Sequence, residues 1–241
     1  EFRRVLFRSR ISMSKTAILV DGGFYRKRAK KLWGLHSPQQ TADGLITYAR
    51  RHLREHSYAH ELYRIFYYDC PPVDKQMYHP LLNRTVNLGA TPEFKWMTEF
   101  LESLKEKRKL ALRLGFLDDA NSVYTLSYQS VKKLCSNSLR IEDLKESDFE
   151  MTVRQKGVDM KIGMDIASLA YKHQVDQIVL IAGDSDFVPA AKLARREGLD
   201  FVLDPLEMEI GKDRDLFEHI DGKRSCGNPY MAKPADRKSV V

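Results

Sequence analysis

The chain has few cysteines and no long apolar run, and each absence excludes a class of protein. No stretch of its 241 residues approaches the roughly 20 consecutive apolar positions that a helix needs to cross a bilayer. The three cysteines lie far apart and form no CxxC pair, which argues against a disulfide framework. Internal repeats and low-complexity linkers are also missing. Because 43% of the residues are hydrophobic, we expect a globular protein with a full core, in a reducing cytoplasm and without a membrane partner.

Both ends of the chain differ from the rest. Residues 1–12 are arginine-rich and precede Met13, and they look like translated adapter sequence, as does the closing DRKSVV at 236–241. We therefore predict that residues 1–12 and the end of the 223–241 tail are non-native and contribute little to stability. Without 1–12 and 236–241 the formal net charge falls from +7 to +3. This mild excess permits an anionic partner but does not require one.

Short apolar runs alternate with helical periodicity over residues 13–222, which predicts one α/β domain. Its strands are predicted at 16–20, 61–68, 177–182 and 199–203, and its helices at 41–56, 158–173 and 186–198. Strands that are apolar on both faces favour a central, mainly parallel sheet covered by helices on each side.

The segment at about 73–146 is less regular and follows two prolines, which block both a helix and a central strand. It holds a charged helical pattern at 93–109 and strand-like runs at 110–117 and 123–128. We interpret it as an α/β insertion in the domain.

Carboxylates follow three of the predicted strands. Asp21 ends the first, Asp69 ends the second, and Asp184 follows IVLIAG, with Asp186 two residues further on. In open α/β sheets the ligand crevice lies beyond the carboxyl ends of the strands. The sequence therefore predicts that these side chains meet at one edge of the sheet.

Helix capping is the simplest alternative role for Asp21, Asp184 or Asp186. A cap needs one side-chain oxygen per helix, and GDSD supplies three candidates. The surplus charge requires a compensating cation, because carboxylates that share a site repel each other and raise one another's pKa.

A fourth carboxylate, Asp159, lies in the first turn of the helix predicted at 158–173. At about 100° per residue, it falls along the apolar stripe of that helix, where the stripe leaves the core and meets the strand ends. The stripe consists of Ile162, Ile166, Leu169 and Ala170. Asp165 falls at the margin of the stripe, which leaves two roles open: support for the site or an ordinary solvated residue.

Four acidic side chains converging from separate elements match a site for a hard divalent cation. Mg²⁺ and Mn²⁺ prefer oxygen ligands, and Mg²⁺ uses only a few carboxylates together with water and substrate phosphate. The chemistry that fits Asp21, Asp159, Asp184 and Asp186 is phosphodiester hydrolysis, with one ion activating water and a second stabilising the leaving oxygen.

The sequence resembles the NYN-domain proteins, in the LabA-like branch of the PIN-like nuclease superfamily. The motifs that carry the resemblance are ILVDGGF, YYD, QKGVDMKIGMDIASLA, VLIAGDSDF and LFEHID, spread over most of residues 16–221. The resemblance implies a Rossmann-like three-layer PIN fold and a metal-dependent ribonuclease, with Asp21, Asp159, Asp184 and Asp186 as its acidic pocket. Many members carry an Asn three residues after the first Asp, where this chain has Phe24.

Several further residues are expected to support the metal site or to contact the substrate. Lys156 and Gln155 precede Gly157 at the mouth of the expected pocket, where the lysine could hold a phosphate as a point charge. Ser185 could orient a metal-bound water, although a helix cap is the simpler role, and Asp69 joins the residues that support the site or contact substrate.

Two other groups are assigned to the surface or to packing. His52, His56 and His60 have a spacing that could suit zinc on one helix, but a packed or solvated face is the preferred interpretation. The KEKRK run at 105–109 is assigned to a solvated face.

Two functions from different classes remain open. The first is a metal-dependent ribonuclease, acting as an endonuclease on single-stranded regions of RNA. The second is a catalytically weak RNA-binding or regulatory module that keeps the same pocket, and either protein could form a homo-oligomer. A serine or cysteine hydrolase is disfavoured because no His accompanies a nucleophile motif. VDGGF also lacks the second Asp that haloacid-dehalogenase-like phosphatases need.

Overall fold

The computed structural model describes residues 13–55, 58–208 and 218–231. The predicted non-native segments 1–12 and 236–241 lie outside these ranges. None of the helices within them is long and apolar enough to cross a membrane.

The central sheet is built from strands distributed along the whole described chain. They are β1 (Lys15–Asp21), β4 (Glu61–Asp69), β7 (Leu110–Leu114), β10 (Gln177–Ile181), β11 (Asp200–Asp204) and β12 (Gly222–Lys223). Their order in space is β12-β11-β10-β1-β4-β7, and every neighbouring pair is parallel. The prediction that the first, second and last two predicted strands share one parallel sheet is therefore confirmed.

Helices cover both faces of this sheet. They are α1 (Gly22–Trp33), α2 (Pro38–Arg51), α3 (Pro92–Lys105), α4 (Tyr128–Cys135), α5 (Val158–Tyr171) and α6 (Val188–Arg196). Helices α1, α2 and α3 pack on one face, and α5 and α6 pack on the other. The result is the three-layer α/β/α arrangement that the sequence pattern predicted.

The alternation of β1 shows how the core is divided. Ala17 and Leu19 belong to the apolar cluster with α5 and α6, while Ile18 and Val20 belong to the cluster with α1, α2 and α3. All four side chains are fully buried, because successive side chains of a strand point to opposite faces and both faces are covered.

The segment predicted as an insertion divides into two parts. Helix α3 packs in the core and β7 forms the sheet edge beside β4, so both belong to the main domain. Two antiparallel pairs lie outside the sheet: β5 (Gln76–His79) with β6 (Arg84–Asn87), and β8 (Phe116–Leu126) with β9 (Phe149–Lys156). A further short pair, β2 (Arg54–Glu55) with β3 (Tyr58–Ala59), follows α2.

Local sequence signals explain where several helices begin. Ser37 accepts a hydrogen bond from the Gln40 backbone N–H, and the Gln40 side chain accepts one from the Ser37 N–H, so α2 starts with a full capping box. Gly157 precedes α5 with a φ of 82°, a left-handed conformation that glycine adopts without strain. This turn brings the β9 ribbon directly to the first residues of α5.

Candidate functional site

The chain reverses its direction of sheet growth between β1 and β10. From β1 the strands continue through β4 to β7 on one side, whereas β10, β11 and β12 extend the sheet on the other. In open parallel sheets such a switch point forms the crevice in which ligands bind. Asp21 is the last residue of β1, and Asp184 follows the end of β10 by three residues. The two predicted carboxylates therefore flank the crevice.

Asp21 caps helix α1 and also places a carboxylate at this crevice. Its Oδ1 accepts a hydrogen bond of 3.1 Å from the Phe24 backbone N–H, so the capping role considered from the sequence is real. Its side chain is half-buried, and burial raises the pKa of this carboxyl, as do the negative charges of Asp159 and Asp69. The hydrogen bond from Phe24 acts in the opposite direction. Asp21 thus caps α1 and also experiences the field of other acidic groups.

Asp159 connects the two sides of the crevice. It lies in the first turn of α5, while Ile162, Ile166, Leu169 and Ala170 are buried as predicted. Partial desolvation raises the pKa of Asp159, followed by the charges of Asp184 and Asp186. Because Asp159 also raises the pKa of Asp21, it is the member that both groups of carboxylates share.

Asp184 and Asp186 lie in the turn between β10 and α6. Asp184 Oδ1 accepts a hydrogen bond of 3.2 Å from the Asp186 backbone N–H, which closes a tight turn before the 3-10 helix Ser185–Phe187. Both carboxylates are exposed. Among the ion pairs formed by the described residues, none involves Asp21, Asp159, Asp184 or Asp186. Asp21, Asp184 and Asp186 thus follow the carboxyl ends of β1 and β10, and Asp159, at the start of α5, interacts electrostatically with each of them.

These four side chains offer carboxylate oxygens, which are the kind of donor that a hard divalent cation prefers. Within the described ranges, no group of three or more His, Cys, Asp or Glu side chains is arranged so that it could hold a metal ion. The charges nevertheless interact, because Asp184 and Asp186 raise the pKa of Asp159, and Asp159 raises the pKa of Asp21. Mg²⁺ is commonly held by one or two carboxylates, water and substrate phosphate, and that mode does not require a closed cage.

Asp69 lies at the same edge, but its oxygens are occupied. Oδ2 accepts from Arg26 Nε at 2.9 Å and from the Tyr67 hydroxyl at 3.0 Å, while Oδ1 accepts from Arg26 Nη2 at 3.0 Å and from the Cys70 N–H at 2.8 Å. A carboxylate offers about four lone-pair positions. These four donors use them all, so Asp69 has no position left for a metal.

Of the other predicted site residues, Asp165 and Lys156 have described side chains. Asp165 accepts from the Tyr68 hydroxyl at 2.8 Å and from Arg113 Nε at 3.0 Å, so it takes part in an ion pair between α5 and β7. Lys156 is exposed at the end of β9. Gln155 and Ser185 occupy the predicted positions in the backbone, but their side chains lie outside the described part of the chain.

Phe24 lies three residues after Asp21, in the first turn of α1. Its ring packs against Gly183, where a Cβ atom would collide with the Phe24 ring carbons Cε2 and Cδ2. The aromatic side chain therefore contacts the turn that carries Asp184. Glycine at 183 is required by this close approach.

Two charged residues near the strand ends were missed by the sequence analysis. Arg26 is the cation that faces Asp69, and Asp204 ends β11 in register with Ile181 of β10. The strand-then-Asp pattern that identified Asp21 also occurs at Asp204, in the run DFVLD. The same pattern would have identified Asp204 from the sequence.

Asp204 is fully buried and belongs to a structural network. It accepts from the Tyr48 hydroxyl at 2.7 Å and the Ser225 hydroxyl at 2.7 Å, and it lies 2.8 Å from His52 Nε2. His52 was considered from its spacing as a zinc ligand or a packed residue. It is packed: its ring is buried and pairs with Asp204.

Comparison with known families matches residues 87–208 to the NYN domain, which is just over half of the chain. This region contains Asp159, Asp184 and Asp186 and begins after Asp21. None of the curated proteins compared with the chain matches it. Among solved structures, the chain is similar to a protein of unknown function from Vibrio parahaemolyticus RIMD 2210633, with 13% identity and a TM-score of 0.44. That similarity covers 90% of this chain and 95% of the other.

Proposed function

Because this chain belongs to the NYN-domain family, within the PIN-like nuclease superfamily, we propose that it is a metal-dependent ribonuclease. The observation that carries the proposal is the position of Asp21, Asp159, Asp184 and Asp186. They surround the switch point of a parallel sheet, and Asp159 interacts electrostatically with the other three. Acidic groups that repel one another at a ligand crevice need a cation to be stable there.

The four carboxylates would have different roles as ligands of Mg²⁺ or Mn²⁺. Asp159 and Asp184 would hold the ion from the helix and strand sides, and Asp21 and Asp186 would complete its charge balance directly or through water. When bound, the divalent ion supplies a water of lowered pKa and neutralises charge on the phosphate oxygens. Asp21 is oriented for this role because its Oδ1 accepts a hydrogen bond from the Phe24 N–H, and the Gly23 N–H also contacts its carboxylate.

The substrate would approach across an edge of mixed charge. Lys156 lies at the end of β9, one residue before the glycine that begins α5, and it would contact a phosphate. RNA in single-stranded form would fit best, because the turn between β10 and α6 and the β1–α1 turn leave an open surface in which Asp184 and Asp186 are exposed. Ser185 and Gln155 flank the same edge and would assist water or substrate positioning.

One observation favours the second candidate function, a regulatory RNA-binding module. Among the described residues, no group of three or more His, Cys, Asp or Glu side chains is arranged to hold a metal ion, so the chain could bind RNA without cutting it. Such a module would bind RNA equally well with and without a divalent ion. The ribonuclease requires the ion for its reaction.

The two functions separate in one cleavage experiment. The purified protein is incubated with a linear single-stranded RNA, the same RNA closed into a circle, and a single-stranded DNA, each with Mn²⁺, Mg²⁺ or EDTA. We expect cleavage of both RNAs with Mn²⁺ or Mg²⁺ and none with EDTA, and opening of the circle would identify an endonuclease. RNA binding without cleavage under any metal would favour the regulatory module.

A further inference from the structure

Arg26 is a cation at the edge of the acidic crevice that the proposed ribonuclease mechanism has not yet used. We propose that Arg26 binds a backbone phosphate of the RNA and that Asp69 holds its guanidinium in position. The inference rests on the proposed function for the identity of the ligand. It adds a substrate-binding residue on the side of the crevice formed by β1 and β4.

The guanidinium is fixed by Asp69 along one edge, and the Tyr67 side chain also forms a hydrogen bond with it. Nε and Nη2 donate to the two oxygens of Asp69 at 2.9 and 3.0 Å, so the contact is bidentate. The side chain of Asp69 is fully buried, whereas 29% of the Arg26 side chain is exposed. Because the Nε–Nη2 edge faces Asp69, the Nη1 edge points away from that carboxylate. A planar guanidinium held in this way suits a second bidentate acceptor such as a phosphate.

The pair lies directly beside Asp21. Gly22 follows Asp21, and a Cβ atom at Gly22 would lie 2.5 Å from Asp69 Oδ2 and 2.5 Å from the Tyr67 hydroxyl. The turn between β1 and α1 therefore rests on the same carboxylate that orients Arg26. The Arg26 guanidinium is thereby fixed by a carboxylate that lies against the residue following Asp21.

The electrostatic balance of the crevice gives this cation a role. Asp21, Asp159, Asp184 and Asp186 repel an approaching phosphate, and one divalent ion offsets only part of their charge. The charge of Asp69 is already matched by Arg26, and the pair is neutral as a whole. A phosphate that approaches from the Nη1 side, away from Asp69, would gain directed hydrogen bonds from a guanidinium that is nearer to it than the Asp69 carboxylate is.

A purely structural Arg26 is the competing explanation. In that case the guanidinium serves only to neutralise buried Asp69, and its loss would lower stability without changing the RNA affinity of the folded protein. The number of phosphates that the protein contacts separates the two roles. For single-stranded nucleic acid, each lost phosphate contact lowers the slope of log K against log salt by about 0.7.

The control is Arg195, which also forms an ion pair with an aspartate but lies at the opposite end of the strands. Arg195 Nε donates to Asp221 Oδ1 at 2.8 Å, and 38% of its side chain is exposed. Asp221 accepts from the Phe201 N–H near the start of β11, far from the crevice. Arg195→Gln removes an equal charge from the other edge of the sheet.

The experiment measures binding of a fluorescein-labelled oligouridylate in Ca²⁺ over a series of KCl concentrations. Wild type, Arg26→Gln, Arg26→Lys and Arg195→Gln are compared at a temperature at which circular dichroism shows each one folded. We expect Arg26→Gln to lose about tenfold in affinity, as for a lost charge-assisted hydrogen bond. Its salt slope should fall by about 0.7, and Arg195→Gln should keep the wild-type slope.

Arg26→Lys keeps the test decisive if Arg26→Gln does not fold. Lysine keeps the charge but loses the two-point contact, so we expect weaker binding with an unchanged slope. The inference would be overturned if Arg26→Gln folds and keeps the wild-type affinity and salt slope. If Arg26→Gln does not fold, wild-type affinity in Arg26→Lys would overturn it.

Cleavage by the wild type is scored separately with Mn²⁺. If wild type cuts no RNA but Arg26→Gln loses one phosphate contact, the ribonuclease proposal fails and the role of Arg26 in RNA binding stands. If wild type cuts RNA and the slope of Arg26→Gln is unchanged, the ribonuclease proposal stands and the inference about Arg26 fails.

Discussion

The pair formed by His52 and Asp204 predicts a loss of stability in mildly alkaline solution. Burial alone would lower the pKa of His52, but its hydrogen bond to Asp204 and the neighbouring Cys226 raise it from 6.5 to about 9. His52 Nδ1 has no hydrogen-bond partner of good geometry among the described residues. The raised pKa therefore depends chiefly on the Asp204 contact at Nε2.

The sign and size follow from proton linkage. His52 binds its proton more tightly in the folded protein than in the unfolded chain, so its contribution to stability is complete below a pH of 6.5. That contribution decreases as the pH rises and is lost once the pH passes through about 9. A difference of about 2.5 pKa units corresponds to about 3 kcal/mol as an upper value.

Urea unfolding measures this effect directly. We expect the free energy of unfolding of the wild type to fall by about 2–3 kcal/mol between about pH 6 and about pH 10. His52→Gln should be less stable at the lower pH and should lose much less over this range, since the titrating group is gone. A wild-type stability that stays constant or rises over the window would refute the reasoning. An equal loss in His52→Gln would do so as well.

Three further predictions concern the acidic edge. Asp159→Asn should raise the melting temperature in EDTA, because it removes a repelling charge. It should also reduce the increase in melting temperature that Mn²⁺ gives to the wild type. A calorimetric scan that shows an unchanged effect of Mn²⁺ would count against this prediction. Gly22→Ala should cost about 1–3 kcal/mol in urea unfolding, because its Cβ atom would overlap Asp69 and Tyr67. Mn²⁺ affinity, measured by titration calorimetry, should weaken as the pH is lowered, because the raised pKa values of Asp21 and Asp159 let protons compete; constant affinity down to about pH 5 would contradict this.

Much of the fold could be predicted because local and global signals agree. The runs AILV and IVLIA are apolar at successive positions, which only a strand covered on both faces satisfies, and both are central strands. The stripe on α5 follows from helical periodicity alone. Strand ends followed by Asp then place carboxylates at one edge by topology.

Other features depend on tertiary contacts that no local pattern encodes. β7 is short, and its run LALRL does not reveal that it returns to the sheet beside β4. The sequence therefore assigned it to an insertion. Likewise, nothing in the spacing of His52 indicates that its partner is Asp204, which lies 152 residues later.

The roles of the acidic residues depend on their partners in the folded structure, which the sequence does not show. Asp69 and Asp21 look equivalent in the sequence, since each ends a buried strand. Arg26, on the helix that begins after Asp21, saturates Asp69 and leaves Asp21 with other carboxylates. Asp165, left open from its angle on the helix, is paired with Arg113.

The most direct test of the central claim compares two Asp→Asn substitutions at opposite ends of the sheet. Asp184 follows β10 at the crevice, whereas Asp200 begins β11 at the other edge, where it accepts from Gln177 Nε2 at 2.6 Å. The measurement is the single-turnover rate of RNA cleavage with saturating Mn²⁺. We predict that Asp184→Asn lowers this rate by on the order of a hundredfold or more, equivalent to about 2.7 kcal/mol of transition-state stabilisation, and that Asp200→Asn leaves it near the wild-type value. Equal rates for Asp184→Asn and the wild type would contradict the assignment of the acidic edge as a ribonuclease site.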